Sequence, residues 1–118
     1  MEHIIEVIRK LATKHVECLE VYGDNTKRLT GKFETSDKDV FTYGVGNRAS
    51  SVRIPTMTAH DKKGYIEDRR PASNLDPYLA CAIIADATLL KNEDSKVGDL
   101  LAAFREWKAW KSTITIEQ

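Results

Sequence analysis

The sequence predicts an α+β fold: an N-terminal helix, a flap-like loop, a three-stranded antiparallel sheet and two C-terminal helices. Three observations carry this prediction. Residues 3 to 22, 77 to 90 and 97 to 110 place apolar side chains at three- and four-residue steps. Between residues 40 and 69 lie short runs rich in Val, Ile, Phe and Tyr, the composition of strands. Gly, Pro and Asn/Asp clusters mark the boundaries between these segments.

In the first helix, Ile4, Ile8, Leu11, His15, Leu19 and Tyr22 share a stripe, with Glu6, Arg9, Lys10 and Lys14 mostly opposite. Gly23 supplies its stop and Asp24-Asn25 continues the turn. His15, on or beside the stripe, reads as a packed, hydrogen-bonded histidine. Thr26 to Ser36 has a central glycine and few apolar anchors, and reads as a mobile loop. Residues 40–46 and 49–54 follow as strands, the second closed by Pro55. His60 to Gly64 reads as a turn, and residues 65–69 return as a third strand in an antiparallel hairpin with the second.

Asp76-Pro77 has the form of a helix N-cap and first position, opening a helix to about Leu90 with Leu79, Ile83, Ala87 and Leu90 on one stripe. Asn92 to Lys96 is a polar break. The last helix carries Leu100, Leu101, Phe104, Trp107 and Trp110 along one side, and its tryptophans are expected to pack inward. Thr113-Ile114-Thr115-Ile116 alternates as a short strand would.

A chain of 118 residues is one domain or a piece of a larger one. Its 18 basic and 18 acidic residues balance, so composition gives no case for a nucleic-acid or membrane-surface partner. From Asp24 to Arg70, however, 10 basic residues stand against 7 acidic ones, a small excess that suits anionic ligands. Cys18 and Cys81 sit in apolar helical settings without metal-ligand spacing, and read as buried free thiols of a reducing compartment. No run reaches the ~18 apolar residues of a membrane span. Glu2, His3 and Glu6 stand where a signal peptide would be basic and then apolar, so a cytoplasmic setting is expected.

The segment from Asn47 to Pro77 concentrates the chemistry. It plants Arg48, Arg53, Arg69 and Arg70 in or beside short strands around Glu67. A guanidinium fork binds phosphate and carboxylate alike in two-pronged fashion. Strand alternation puts Tyr65, Glu67 and Arg69 on one face, and Ile66 and Asp68 on the other. Two readings of Glu67 and Arg69 stay open on spacing alone. They are an exposed ion pair of little consequence, or a carboxylate that holds a metal beside an arginine that holds its substrate. Arg48 and Arg53, five apart, face opposite ways on a regular strand. Gly44, Gly46 and Asn47 favour a bend at Arg48 that would bring both to one pocket.

Three motifs carry a family resemblance. They are Lys27-Arg28-Leu29-Thr30-Gly31-Lys32-Phe33-Glu34-Thr35-Ser36, Tyr43-Gly44-Val45-Gly46, and the run from Asn47-Arg48-Ala49-Ser50-Ser51-Val52-Arg53-Ile54-Pro55 through Gly64-Tyr65-Ile66-Glu67-Asp68-Arg69-Arg70-Pro71 to Asp76-Pro77-Tyr78. In this order they resemble the C-terminal active-site segment of eukaryotic-type glutamine synthetase, over roughly residues 3 to 90. The resemblance implies a fragment of that enzyme's catalytic domain spanning residues 1–118, family-like over 1–91 with a divergent helical tail at 92–118.

The resemblance further implies ATP-dependent ligation of ammonia to glutamate through a γ-glutamyl phosphate. By motif match, Arg28, Arg48 and Arg69 would bind the amino-acid substrate. Arg48, Arg53 and Tyr65 would bind or flank the nucleotide. Glu67 would ligate Mg²⁺ or Mn²⁺, and Glu34 would be the flap glutamate that takes a proton from the incoming ammonium, with Arg48 beside it in the catalytic set. Phe33 stands where the family usually has histidine, and Ala49-Ser50 exchanges two small residues. Most family metal ligands lie upstream of the segment matched here, so the resemblance implies no competence without an N-terminal half. It also implies a homo-oligomeric ring as the setting. The alternative is a non-catalytic binding module that associates with full-length subunits or senses a metabolite.

Overall fold

The computed structural model describes residues 1–90 and 94–112, the last two through their backbone only. Its elements are α1 (Glu2–Thr13), α2 (His15–Val21), β1 (Tyr43–Val45), β2 (Val52–Ile54), α3 (Thr56–Asp61), β3 (Glu67–Asp68), α4 (Pro77–Leu89) and α5 (Val97–Ser112). The class is α+β, as the sequence predicts. The residues 113–116 expected as a strand lie outside the described residues, as do 92–93 of the polar break.

The single first helix of the prediction is two. Thr13 Oγ1 donates to the Lys10 carbonyl at 2.7 Å and Lys14 N–H to the Leu11 carbonyl at 3.2 Å. These bonds close the α1 ladder early, and Lys14 leaves the helical region at φ −110°, ψ 23°. Of the predicted stripe Ile8, Leu11 and Tyr22 are buried, Ile4, His15 and Leu19 partly so, and Cys18 and Val21 join the buried face beyond the break.

The sheet is mixed rather than antiparallel. β2 pairs antiparallel with β3, Arg53 opposite Glu67, as predicted. β1 instead runs parallel to β2, with Tyr43 beside Val52 and Val45 beside Ile54. A parallel pair ordinarily needs a long crossover, which the sequence lacks. Here the strands are three residues each, and a short polar loop returns the chain. Gly46 turns it at φ +62°, and Asn47 Oδ1 accepts the Ala49 N–H at 2.9 Å. Thr42 and Ser51 then exchange backbone N–H and side-chain hydroxyl at 3.1 and 3.2 Å.

A helix precedes the predicted turn at His60–Gly64, overlapping it only at His60 and Asp61. α3 starts after Pro55 and ends at Lys62, whose φ of 59° breaks it. With six residues it is too short for apolar periodicity to register. The third strand is also shorter than predicted, and Tyr65 lies before it.

Two apolar clusters hold these elements together. Ile8 and Leu11 of α1 and Ala87 of α4 pack on Val52 and Ile54 of β2. Cys18, Val21 and Tyr22 meet Ala80 and Ile83 of α4 and Val97 and Leu101 of α5. Asp76 caps α4 as predicted, accepting the N–H of Tyr78 at 2.9 Å and Leu79 at 3.3 Å. The buried face of α4 is Ala80, Ile83, Asp86 and Ala87; Ile83 and Ala87 are as predicted, whereas Leu79 is half-buried and Leu90 exposed. Cys81 is exposed too, against the prediction, because it lies opposite that face.

Asp86 is the buried exception. Its carboxylate accepts from Ser95 Oγ at 2.8 Å and from the Lys96 N–H, tying α4 to the start of α5. On α5 the inward packing runs through Val97, Leu101 and Phe104. Trp107 stacks on Phe104 with 6.1 Å between ring centroids, while Trp110 is largely exposed. Among the described residues, no helix is long and apolar enough to cross a membrane.

Candidate functional site

The site is built where β3, the β1–β2 loop and the flap converge. Strand alternation makes β3 two-sided, and its outer side carries Glu67, followed by Arg69. Arg69 Nη1 lies 3.2 Å from Glu67 Oε1, and Arg53 Nη1, from the neighbouring strand, lies 3.6 Å from Glu67 Oε2. Both carboxylate oxygens are thus paired, each with a different guanidinium. The remaining donors of Arg69 reach further: Nε to the Arg48 carbonyl at 3.1 Å and Nη2 to the Glu34 carbonyl at 3.4 Å. One side chain therefore ties the strand, the loop and the flap.

The flap is rooted by buried Leu29 and by a ladder in which Thr30 faces Asp37. Its tip holds Phe33 and Glu34 at φ 56° and 59°. Left-handed backbone in non-glycine residues costs on the order of 1–3 kcal/mol each and persists only where other contacts enforce it. The Arg69 bond to Glu34 is one such contact. A longer one joins the side chains of Glu34 and Arg48, 3.9 Å apart and both exposed.

Arg28 approaches from the base of the flap. Its guanidinium donates to Asn25 Oδ1 and to the carbonyls of Arg69, Arg70 and Pro71. Burial, and then the charge of Arg69, pull its pKa below the ordinary arginine value.

The structure therefore brings Arg28, Glu34, Arg48, Arg53, Glu67 and Arg69 together, and the predicted bend at Arg48 is present. It does not bring in Tyr65. That ring is 70% exposed ahead of β3, and among the described residues no hydrogen bond or ring contact joins it to the cluster. Four guanidiniums against two carboxylates leave the cluster positive, which favours anionic ligands. A divalent metal does not fit these residues by themselves. Glu67 offers one carboxylate with both oxygens already paired, and no group of three or more His, Cys, Asp or Glu stands together among the described residues.

Behind β3 lies a second constellation. Arg70 was grouped with the site arginines on sequence, but it points inward and is fully buried. Its Nε and Nη2 grip Asp68 Oδ1 and Oδ2 at 2.9 and 2.8 Å. Its Nη1 donates to His15 Nδ1 at 2.9 Å, and the guanidinium lies over the rings of Tyr22 and Phe41. Tyr22 OH donates to Asp68 Oδ2 at 2.8 Å. Burial pulls the Arg70 pKa down, but the Asp68 bond and charge outweigh it and raise it overall. Burial and the Asp68 carboxylate push the Tyr22 phenol up, so it remains a donor. The alternation that set Asp68 opposite Glu67 was the available sequence signal for this network. Extending it by two residues places Arg70 there as well.

A cleft of about 1230 Å³ lies elsewhere, lined by Leu75, Tyr78, Phe104 and Trp107 among others, and none of the cluster residues borders it.

The sequence profile of the glutamine synthetase catalytic domain matches residues 8–92. Over 90 residues the chain is 52% identical to the glutamine synthetase root isozyme A of Pisum sativum, covering 75% of this chain and 25% of that protein. With the glutamine synthetase of Tuber borchii the identity is 54% over 87 residues, 73% of this chain and 24% of that one. With the glutamine synthetase cytosolic isozyme 1-3 of Arabidopsis thaliana it is 50% over 91 residues, 76% and 26% respectively. The chain spans about a quarter of the length of these relatives. A profile match over most of the chain, together with identities of this size, establishes that the chain belongs to the glutamine synthetase catalytic-domain family.

Proposed function

We propose that this chain supplies the C-terminal part of a glutamine synthetase active site, which joins ammonia to glutamate at the expense of ATP. The observation that carries this reading is Arg69, which binds Glu67, the Arg48 loop and the flap at once. In the reaction, a γ-carboxylate oxygen of glutamate attacks the terminal phosphorus of ATP and ADP leaves. Ammonia then attacks the acyl carbon of the γ-glutamyl phosphate, and phosphate leaves.

Positioning and charge neutralisation dominate phosphoryl transfer, and arginines suit both. Arg69 and Arg28 hold the amino-acid substrate, Arg48 spans substrate and phosphates, and Arg53 serves the nucleotide with Tyr65 alongside. Glu34 takes the proton from ammonium as the flap excludes the water that would hydrolyse the acyl phosphate. Were Mg²⁺ or Mn²⁺ bound, Glu67 would be one ligand on giving up its arginine partners, the other ligands would come from outside this chain, and the ion would offset phosphate charge. A ring of like subunits in the cytoplasm belongs to the same reading, as does inactivity of the chain by itself.

The test is complementation. The chain is co-expressed with the pea root isozyme A from which the matching C-terminal quarter has been removed, and γ-glutamyl hydroxamate formation is measured with glutamate, ATP, Mg²⁺ and hydroxylamine. Activity in the pair, absent from either piece and abolished by Arg69→Ala, is expected. A pair that assembles but stays inert would overturn the enzyme reading in favour of a non-catalytic module associated with full-length subunits. The helix α5, which lies outside the matched residues 8–92 yet is bound to the core through Leu101 and Arg105, gives that second reading its support.

A further inference from the structure

The buried face of β3 is built around a histidine that the proposed chemistry does not use. We infer that His15 is a positioning residue: by accepting from Arg70 it holds β3 in the register that presents Glu67 and Arg69 to the site.

The hydrogen-bond pattern fixes the chemical state this requires. A guanidinium can only donate, so the 2.9 Å contact from Arg70 Nη1 makes His15 Nδ1 an acceptor. Its proton then sits on Nε2, which lies 2.9 Å from the Lys38 carbonyl and donates to it. His15 is therefore neutral and of one tautomer. It joins the α1–α2 break, the strand end at Arg70 and the chain leaving the flap at Lys38.

Each of these attachments bears on the site. Arg70 holds Asp68, the residue between Glu67 and Arg69, by two bonds. The Arg70 carbonyl accepts from Asn25 Nδ2 at 2.9 Å and from Arg28. The Arg69 N–H donates to the Ser51 carbonyl at 2.9 Å, locking β3 to the Arg48 loop. Lys38 N–H closes the flap ladder on Leu29 at 3.2 Å.

A proton added at Nδ1 would abolish the acceptor and set two cations against each other across 2.9 Å. The other groups facing His15 are the Asp68 carboxylate on β3, Asp39 beyond the flap, the Phe41 ring edge-on at 5.5 Å, and the Cys18 thiol and Tyr22 phenol of the Arg70 shell. Burial, the largest influence, and Arg70 oppose the proton, while the hydrogen bond to the Lys38 carbonyl and the two carboxylates favour it. Opposition prevails, so the imidazole is held neutral to below its ordinary range. Protonation in acid then frees Arg70 on one side of β3 and slackens Arg69 on the other.

The experiment follows Arg69 in the full chain by ¹⁵N–¹H NMR between pH 8 and pH 5, through its side-chain Nε–H and its backbone N–H. Both signals are expected to move with one midpoint, the same as that of the His15 ring nitrogens. His15→Asn, whose Oδ1 offers Arg70 an acceptor and does not titrate, is expected to hold the pH 8 positions throughout. His15→Leu, which offers none, is expected to show the acid positions already at pH 8. Arg69 signals that stay still while His15 titrates, or that move unchanged in His15→Asn, would overturn the inference. Should His15→Leu not fold, the His15→Asn comparison decides. These readouts involve no ligand, so the coupling stands or falls separately from whether the cluster binds glutamate and ATP.

Discussion

Asp68 and Arg70 form a two-pronged ion pair at 2.8–2.9 Å on the buried side of β3, while Glu67 and Arg69 form a looser one at 3.2 Å on its open side. A carboxylate and an arginine at the same spacing thus meet two dielectric environments. Removing one partner of a buried pair strands the other charge and costs ~3–5 kcal/mol. An exposed pair is worth about 1 kcal/mol or less. Urea denaturation of Arg70→Ala should therefore show a loss of ~3–5 kcal/mol, and that of Arg69→Ala, whose pair with Glu67 is only partly buried, a smaller one. Equal losses would contradict the assignment of faces.

Stability should fall with acid in a window set by His15. Its folded pKa lies below the free value of 6.5, with burial the largest cause. The unfolded chain therefore binds a proton more readily than the folded one. The contribution is complete above pH ~6.5 and is lost as pH falls through the lower folded value. The urea midpoint should drop between pH 7.5 and 5.5, and His15→Asn should flatten that drop. A midpoint constant over this range in the native sequence would refute the neutral tautomer.

Much of this was legible in the sequence, and the failures have physical causes. The Ile8–Leu11–Tyr22 stripe and the Asp76-Pro77 cap are local patterns, and both are present. The alternation that separated Glu67 from Asp68 is likewise a backbone property. What alternation does not say is which face a core will cover when both faces carry charges, so Arg70 was left with the site arginines. The parallel β1–β2 pairing depends on Thr42 and Ser51 meeting across a loop, and no periodicity records such a contact. Tyr65 shared a face with Glu67 only if the strand began two residues earlier than it does.

The two cysteines should separate cleanly by reactivity. Cys81 is exposed, whereas Cys18 is fully buried and its thiol is pushed up mainly by burial. Thiolate is the reacting form. Ellman's reagent should titrate one thiol rapidly in the native chain and a second only in denaturant, with Cys81→Ser deleting the fast phase. Two fast thiols would mean that the α2–α4–α5 cluster opens readily.

Helix α5 lies outside the matched family segment, and its attachment can be measured from both ends of its contact with α2. Leu101 is buried among Cys18, Val21 and Ile83. Truncation of a buried leucine to alanine costs ~2–5 kcal/mol through lost transfer energy and the cavity left behind. Leu101→Ala should lower the urea midpoint accordingly if α5 is part of the folded core. One turn on, Arg105 holds Glu20 at 2.6 and 2.8 Å. That hydrogen bond is the main reason the Glu20 carboxyl titrates below its ordinary value. In Arg105→Ala the Glu20 side-chain carbon signal should titrate at higher pH, and added salt should not reproduce the whole effect because the interaction is a directed two-pronged bond. The two outcomes address different links. A shifted Glu20 with an intact core locates the charge contact on the rim, whereas an unmoved Glu20 would mean that α5 does not lie along α2.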